Sequence, residues 1–192
     1  MKILQKAFNK HLVNKIIELG HKPASKPNDE QSRLKDLKDL KIIEESIDKS
    51  KRFSSFPKLA ATLTECDKAA INIIDDTTQH CKINFGMDMV ENVMTKEVPR
   101  ELSVCAHVLN NASEPLVIND LTKDNRTKHV FELNNPLINQ TFPKFYAGSP
   151  IITSNGYILG SFCVFNSKPK TLENSKVEGL RMLADQFIDL YE

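Results

Sequence analysis

The segment 144–165, "KFYAGSPIITSNGYILGSFCVF", constrains the fold more than any other part of the chain. Two runs of apolar and β-branched residues flank Ser154-Asn155-Gly156, and an Asn-Gly pair accommodates the positive φ of a tight turn. The pattern predicts a hairpin of two antiparallel strands, at 144–153 and 157–165. Gly148 and Gly160 inside these strands indicate a close backbone approach or a bulge rather than a phosphate-binding loop.

The rest of the chain predicts short strands placed between helices. Period-two and continuous apolar runs indicate strands at 68–75, 79–85 and 114–120. The predicted helices span 2–19, with Gly20 as the stop, and 32–48, and others begin near Phe56, after Pro99 and near Thr171, whose hydroxyl would cap the last one. We expect a linker at 21–31, a surface loop at 86–98 and a long polar connection at 121–143. This order predicts an α+β domain with one mainly antiparallel sheet.

Charge and cysteine usage exclude several classes of protein. The formal net charge of +1 leaves no electrostatic footprint for nucleic acid. No apolar run is long enough to cross a bilayer, and lysines interrupt the N-terminal segment where a signal peptide would be apolar. The four cysteines show no CxxC pair, so their even number does not imply disulfides. We expect a reduced cytoplasmic protein with neither a nucleic-acid nor a membrane partner.

Cys105 and His107, in "PRELSVCAHVLNN" (99–111), are the residue types of a nucleophile and its base. On an α-helix, however, residues two apart point about 200° away from each other, whereas a nucleophile must lie within about 3 Å of its base. Cys105 shares an apolar stripe with Leu102 and Leu109, which indicates a packed thiol. His107 points elsewhere and either makes a capping or core hydrogen bond or contacts a ligand.

No other cluster predicts catalysis or metal binding. Cys81 and Cys163 lie on predicted strands, with the side chain of Cys81 on the face opposite His80. A zinc site normally shows paired ligands at short spacing, and the sequence has none. A single histidine such as His80, His107 or His129 is weak evidence for haem. We therefore predict no catalytic residue and no metal ligand.

From about Glu30 to Tyr191 the chain resembles a GAF domain of the kind found in bacterial sensor kinases and diguanylate cyclases. The matching segments occur in the family's order: "EQSRLKDLKDLKIIEES", "FPKLAATLTECDKAAINIIDDTTQ", "SVCAH", "PLVINDLTKDNR", "NPLI", "FYAGSPIITSNGYILGSFCVF" and "LADQ". Two departures are Val104, where many members have Phe, and Lys144, where Arg is frequent. The resemblance divides the chain into an N-terminal helix and linker, 1–29, and a GAF domain, 30–192.

The resemblance implies a GAF/PAS-like fold, with a central antiparallel sheet of five to six strands flanked by helices. It also implies a small-ligand pocket under loops on the face of the sheet opposite the helices. Ligands in the family include cyclic nucleotides, tetrapyrroles, haem and other small metabolites. The cyclic-nucleotide signature Asn-Lys-x-Phe-Asp-Glu is absent, and so is the motif that carries the cysteine of bilin-binding phytochromes. The class of function follows from the resemblance, and the identity of the ligand or cofactor does not.

Six residues are the candidate ligand contacts. Arg126 can hold a phosphate or carboxylate through two parallel hydrogen bonds, with Asp124 and Asn125 beside it; the alternative is an Asx-type turn with a surface ion pair. Tyr146 and Phe162 alternate with small residues on the hairpin, and whichever faces away from the helices would line the pocket. The candidates are His107, Asp124, Asn125, Arg126, Tyr146 and Phe162.

The leading functional hypothesis is a non-catalytic sensory or regulatory module. It would bind a small molecule, or relay the state of a partner, by changing how its terminal helices pack. The predicted helices at 32–48 and 171–191 have apolar stripes suited to a homodimer, which the first helix could join, and an output protein such as a kinase or cyclase is the expected partner.

Two alternatives stay open. One is a free methionine-R-sulfoxide reductase, a GAF enzyme that uses cysteines; its Gly-Val-Cys-Gly segment is missing here, and "SVCAH" stands as a poor substitute. Such chemistry needs an exposed thiolate beside a positive group. The other is a dimerisation or interaction module with a filled pocket.

Overall fold

The computed structural model describes residues 10–44 and 53–192. The helices are α1 (Lys10–Glu18), α2 (Glu30–Asp39), α3 (Ser55–Thr64), α4 (Met89–Thr95), α5 (Lys128–Phe131), α6 (Pro136–Thr141) and α7 (Asn174–Tyr191), with 3₁₀ helices at Arg100–Leu102 and Cys105–Asn110. The strands are β1 (Lys68–Ile74), β2 (Thr78–Phe85), β3 (Glu97–Pro99), β4 (Leu116–Ile118), β5 (Phe145–Ile152) and β6 (Ile158–Asn166). The part of the first predicted helix at 2–9 lies outside the described residues.

The six strands form one antiparallel sheet in the order β3-β2-β1-β6-β5-β4. The predicted α+β architecture of five to six strands is confirmed. The β5-β6 hairpin turns at Gly156, whose φ is +86°, as the Asn-Gly pair predicts. Gly160 lies against β1 so closely that a Cβ there would be 2.0 Å from the Asn72 carbonyl oxygen. This is the close approach expected at a strand glycine.

One face of the sheet packs on α3 and α7. An edge-to-face aromatic contact joins the two helices, with 6.2 Å between the ring centroids of Phe56 and Phe187. Buried residues of β1, β5 and β6, including Ile71, Phe145 and Phe162, complete this core. We call this face the helix side and the opposite face the loop side.

Arg33 anchors α2 to the sheet. Its side chain is 1% exposed, donates to the Ile74 carbonyl oxygen at 2.7 Å, and pairs with Glu30 at 2.9 Å. Arg100 also pairs with Glu30. Burial opposes ionisation of Glu30, but the hydrogen bonds and charges of the two arginines outweigh it and lower the pKa of its carboxyl to about 2. The sequence reading did not identify this cluster.

The predicted loop at 86–98 is wrong. It contains α4 and β3, and α4 begins with a capping box in which the Asp88 carboxylate accepts from the Glu91 amide at 2.9 Å. The Glu91 carboxylate accepts from the Asp88 amide at 3.0 Å in return. This Asp-x-x-Glu spacing is a helix-start signal that the sequence reading overlooked.

The helix after Pro99 is two 3₁₀ helices rather than one α-helix. Ser103 interrupts it with extended backbone, at φ −75° and ψ 117°. The Ser103 hydroxyl accepts from the Ala106 amide at 3.0 Å and donates to the Gln79 side chain at 2.6 Å. These two bonds hold the break in place, because they fix the second 3₁₀ helix to β2.

Other predicted bounds also shift. The predicted helix at 32–48 ends at Asp39, since Lys41 takes a left-handed φ of +54°, and its residues 45–48 lie outside the described ranges. The connection at 121–143 contains α5 and α6. The last helix begins at Asn174, after an N-cap at Glu173 that makes no side-chain capping bond, so the capping role predicted for Thr171 is wrong.

α1 packs on the loop side of the sheet. Val13 and Ile16 form a buried cluster with Leu102, Val130 and Ile138. The following segment continues across this side, where the His21 Nε2 lies 2.7 Å from the Glu101 carbonyl oxygen. Among the described residues, no helix is long and apolar enough to span a membrane.

Candidate functional site

A cavity of about 100 Å³ lies on the loop side of the sheet. β1, β2, β5, β6 and residues 103–105 form its floor, and α4, the first 3₁₀ helix, α5 and α6 form its walls. Most of the lining is apolar and comes from Met87, Met94, Leu121, Val130, Phe142 and Phe165. One water needs about 10–15 Å³ of such space, so the cavity has room for several water-sized groups.

Four polar side chains converge on the cavity floor. They are Asn72, Gln79, Ser103 and Cys105. Asn72 is 2% exposed, and its amide nitrogen donates to the sulfurs of Cys105 at 3.4 Å and Cys163 at 3.3 Å. Its Oδ1 has no hydrogen-bond partner among the described residues. An apolar cavity with a few fixed polar groups is the usual form of a small-molecule site.

An ion pair between Lys68 and Glu91 forms part of the wall. Lys68 begins β1, and Glu91 belongs to the capping box of α4, so the pair ties the helix to the sheet. The Glu91 side chain is only 7% exposed, against 25% for Lys68. Lys68 is therefore the charged side chain of this pair with the greater access to solvent.

Two of the six predicted contacts come from the hairpin, and they lie on opposite faces of the sheet. Tyr146 lines the cavity, and its hydroxyl lies 2.9 Å from the Ser161 hydroxyl. Burial raises the pKa of Tyr146 well above its ordinary value. Phe162 is fully buried in the helix-side core and does not line the cavity. Of these two predicted contacts, Tyr146 is the one that faces away from the helices.

The other four predicted contacts lie outside the cavity lining. Asp124 binds Arg126 through two side-chain bonds, at 2.8 and 2.7 Å, and also accepts from the Arg126 amide at 2.9 Å. This is the Asx-type turn with an ion pair that the sequence reading gave as the alternative. Asn125 is exposed. Burial, and then the charge of Arg126, lower the pKa of the half-buried His107 to about 4.

The low pKa of His107 predicts that the folded protein is destabilised by acid. The unfolded chain binds a proton at the ordinary pKa of 6.5, whereas folded His107 stays neutral down to about 4. The free energy of unfolding should therefore be highest above pH 6.5 and fall as the pH drops towards 4. His107→Gln should flatten this decline in urea titrations taken at a series of pH values.

His11→Gln, at an exposed histidine, controls for the effect of the substitution itself. Burial also lowers the pKa of His21, so a smaller slope should persist in His107→Gln. An imidazole of His107 that titrates near 6.5 in NMR spectra of the folded protein would contradict the prediction.

Sequence reasoning missed the polar residues of the cavity other than Tyr146, and five of those missed belong to its floor or to the ion pair in its wall. Asn72 had a signal, because it is the one polar residue between apolar neighbours in "KAAINIID" and such a residue must find partners when buried. No sequence signal identified Lys68 and Glu91, because their pairing depends on where α4 crosses the sheet. The five are Lys68, Asn72, Gln79, Glu91 and Ser103.

No group of three or more metal-binding side chains occurs within residues 10–44 and 53–192. The Nε2 of His80 lies 2.6 Å from a carboxylate oxygen of Asp75. Burial raises the pKa of the Cys81 thiol to about 12.

A second, larger depression of about 480 Å³ lies beneath the linker, but its lining is mainly polar and lacks the apolar enclosure of the cavity.

The chain matches the sequence pattern of the GAF domain over residues 51–188. It is 30% identical over 146 residues to a cyclic di-GMP phosphodiesterase of Pseudomonas aeruginosa, a match that covers 75% of this chain and 22% of that protein. The chain thus spans less than a quarter of this relative's length.

Solved structures with the same fold include other GAF domains and an enzyme. The GAF domain of PixJ from Thermosynechococcus elongatus has a TM-score of 0.58 at 15% identity, covering 80% of this chain and 88% of that one. A GAF domain from an Acinetobacter phosphoenolpyruvate-protein phosphotransferase has a TM-score of 0.57 at 15% identity, and the match covers 85% of this chain and 93% of that one. A type II free methionine-R-sulfoxide reductase from Thermoplasma acidophilum has a TM-score of 0.57 at 9% identity, and the match covers 73% of this chain and 90% of that one. At these identities the likeness extends to the fold alone.

Proposed function

The chain belongs to the GAF domain family, and from that premise we propose that it is a non-catalytic sensory or regulatory module of the cytoplasm. It binds a small molecule in the loop-side cavity and relays the bound state through its N-terminal helix. The observation that carries the proposal is the cavity itself, an apolar space with fixed polar groups on its floor. The ligand class that fits is a small molecule with a largely apolar surface and a polar group that meets Asn72, Gln79 and Ser103.

Two side chains support the relay, because they belong both to the cavity wall and to the cluster under α1. Leu102 and Val130 line the cavity, and both pack in the cluster that includes Val13 and Ile16. A ligand that displaces either side chain changes the surface on which α1 rests. A packed core transmits such a shift because its side chains interdigitate with few voids.

The environment of the cysteines supports a non-catalytic role. A catalytic thiolate needs a positive neighbour and access to solvent. Cys105 is 2% exposed, and the side chains that bond to its sulfur are neutral. This setting favours the sensory module over a cysteine-dependent reductase.

An exposed apolar stripe supports a homodimer through α3 and α7. Leu59, Leu63 and Met182 are 54%, 41% and 64% exposed. The stripe is continuous across the two helices, because a Cβ at Gly179 would lie 2.6 Å from Leu63. Light scattering on the eluting protein should give the mass of a dimer, and a monomer at every concentration would contradict this part of the proposal.

The named relative suggests the kind of output. The matching region is 22% of a cyclic di-GMP phosphodiesterase, so regulation of an enzyme by this domain is a natural role. We propose an output protein of the same broad signalling class, such as a kinase, cyclase or phosphodiesterase, as the partner of this module.

The substitution Val104→Phe tests the site. Val104 is half-buried and lines the cavity, and phenylalanine is frequent at this position of the family, so the variant should fold while losing cavity volume. In a thermal-shift screen of metabolites, we expect a compound that raises the melting temperature of the wild type and binds Val104→Phe at least about tenfold more weakly, a loss of about 1.4 kcal/mol.

Val177→Phe is the matched control, since Val177 is half-buried on α7 at the helix side. It should bind the compound as the wild type does. Equal affinity in all three proteins would place binding outside the cavity, and the absence of any stabilising metabolite would count against a sensory function.

A further inference from the structure

Two thiols face each other at the cavity floor. Cys105 begins the second 3₁₀ helix and lines the cavity, while Cys163 is fully buried in β6, and their sulfurs lie 3.9 Å apart. A disulfide has an S–S length of about 2.05 Å. Forming the bond therefore requires the two sulfurs to approach each other by about 2 Å.

One neighbour, Asn72, bonds to both sulfurs. The Asn72 amide donates to each, and the Cys163 thiol lies 3.4 Å from the Ala70 carbonyl oxygen. Burial alone would raise the pKa of Cys105, but hydrogen bonds donated to its sulfur by Cys163, Tyr146 and Asn72 lower it. Burial and the neighbouring Cys105 raise the pKa of Cys163. Cys105 lines the cavity and Cys163 does not, so Cys105 is the sulfur of the pair that a small peroxide can reach. Because it has no positive neighbour, its oxidation should be slow and stoichiometric rather than catalytic.

We propose that Cys105 and Cys163 form a dithiol that hydrogen peroxide, or another small peroxide entering the cavity, oxidises to a disulfide. The Cys105 thiolate attacks one oxygen of the peroxide, the O–O bond breaks, and the hydroxide released takes up a proton to leave as water. The resulting Cys105 sulfenic acid is attacked by the Cys163 sulfur. The S–S bond forms as the S–O bond breaks, and a second water leaves with the Cys163 proton. Two thiols lose two electrons, and the peroxide gains them.

Of the other two cysteines, one lies on the opposite side of the sheet and the other packs against the same loop-side cluster as the pair. Cys66 belongs to the helix-side core, and burial raises the pKa of its thiol. Cys81 is held at a pKa of about 12 by burial. Neither has a sulfur placed against a second thiol as Cys105 and Cys163 do. Oxidation should thus be selective for the pair, and it should draw the second 3₁₀ helix towards β6 and alter the cavity that Cys105 lines.

The test treats folded, reduced wild-type protein with hydrogen peroxide, removes the peroxide and measures the intact mass. The protein is then unfolded in the presence of an alkylating agent, and the linked peptides are identified. We expect the mass to fall by two hydrogen atoms, with one crosslink that joins the peptides containing Cys105 and Cys163 and that dithiothreitol reverses. The measurement on the wild type decides the question even if a cysteine variant fails to fold.

Single cysteine-to-serine variants identify which two thiols form the crosslink. Cys105→Ser and Cys163→Ser should each abolish the crosslink, whereas Cys66→Ser and Cys81→Ser should keep it. A folded protein whose four thiols all survive peroxide would overturn the inference. So would a crosslink through Cys66 or Cys81, or sulfinic acid at Cys105 with no crosslink.

Discussion

Replacing Arg33 with methionine should lower the free energy of unfolding by about 3–5 kcal/mol, the cost of breaking a buried ion pair. The guanidinium is 1% exposed and donates to the Ile74 carbonyl oxygen. Without it, Glu30 keeps Arg100 as an ionic partner but loses its bonds to Arg33. The Ile74 carbonyl loses this donor inside the protein, where an unpaired polar group carries its full desolvation cost.

Urea denaturation followed by circular dichroism measures this loss, and Arg126→Met is the matched control. Arg126 makes two bonds to Asp124, but its side chain is 36% exposed. An exposed pair contributes about 1 kcal/mol or less. If the two variants lose equal stability, the cluster around Arg33 is not the anchor of α2.

The second large effect is expected at Gly160, where alanine should cost about 3 kcal/mol or more, the upper end of overpacking penalties. The added Cβ would lie 2.0 Å from the Asn72 carbonyl oxygen and 2.9 Å from the Ile73 Cα. Both are backbone atoms of β1, so no side chain can turn away to relieve the contact. The β1-β6 pairing must therefore open at the centre of the sheet.

Gly156→Ala separates this clash from the general cost of replacing glycine. Nothing lies within 4 Å of a Cβ at Gly156, but the residue has a φ of +86°. Its replacement should cost about 1–2 kcal/mol from backbone strain alone. A Gly160→Ala variant no less stable than Gly156→Ala in the same urea titration would show that β6 can move away from β1.

The parts of the fold that local chemistry specifies were predictable. The β5-β6 hairpin follows from alternating apolar residues around Asn155-Gly156, and the structure has it within two residues of the predicted bounds. The capping box at Asp88 was equally local, and the error at α4 came from overlooking it. Arg33 could not be predicted, because the carbonyls it binds lie 41 and 125 residues away along the chain.

The residues of the candidate site were predictable only where the side-chain alternation of a single strand places them. Neighbouring residues of a strand point to opposite faces of the sheet, so either Phe145 or Tyr146 had to face the loop side. The residue that does so is Tyr146. The rest of the cavity lining depends on contacts between residues far apart in the sequence. One example is the hydrogen bond between Ser103 and Gln79, which are 24 residues apart. The same bond belongs to the break between the two 3₁₀ helices, which helical periodicity alone could not reveal.

Native mass spectrometry of the purified protein tests most directly whether the cavity holds a small molecule. The wild type, Val104→Phe and Val177→Phe are expressed alike and equilibrated with a metabolite extract of the expressing cells. We predict a bound small molecule on the wild type and on Val177→Phe, with its occupancy sharply reduced on Val104→Phe. No bound species on folded wild type, or equal occupancy on all three proteins, would contradict the proposed function.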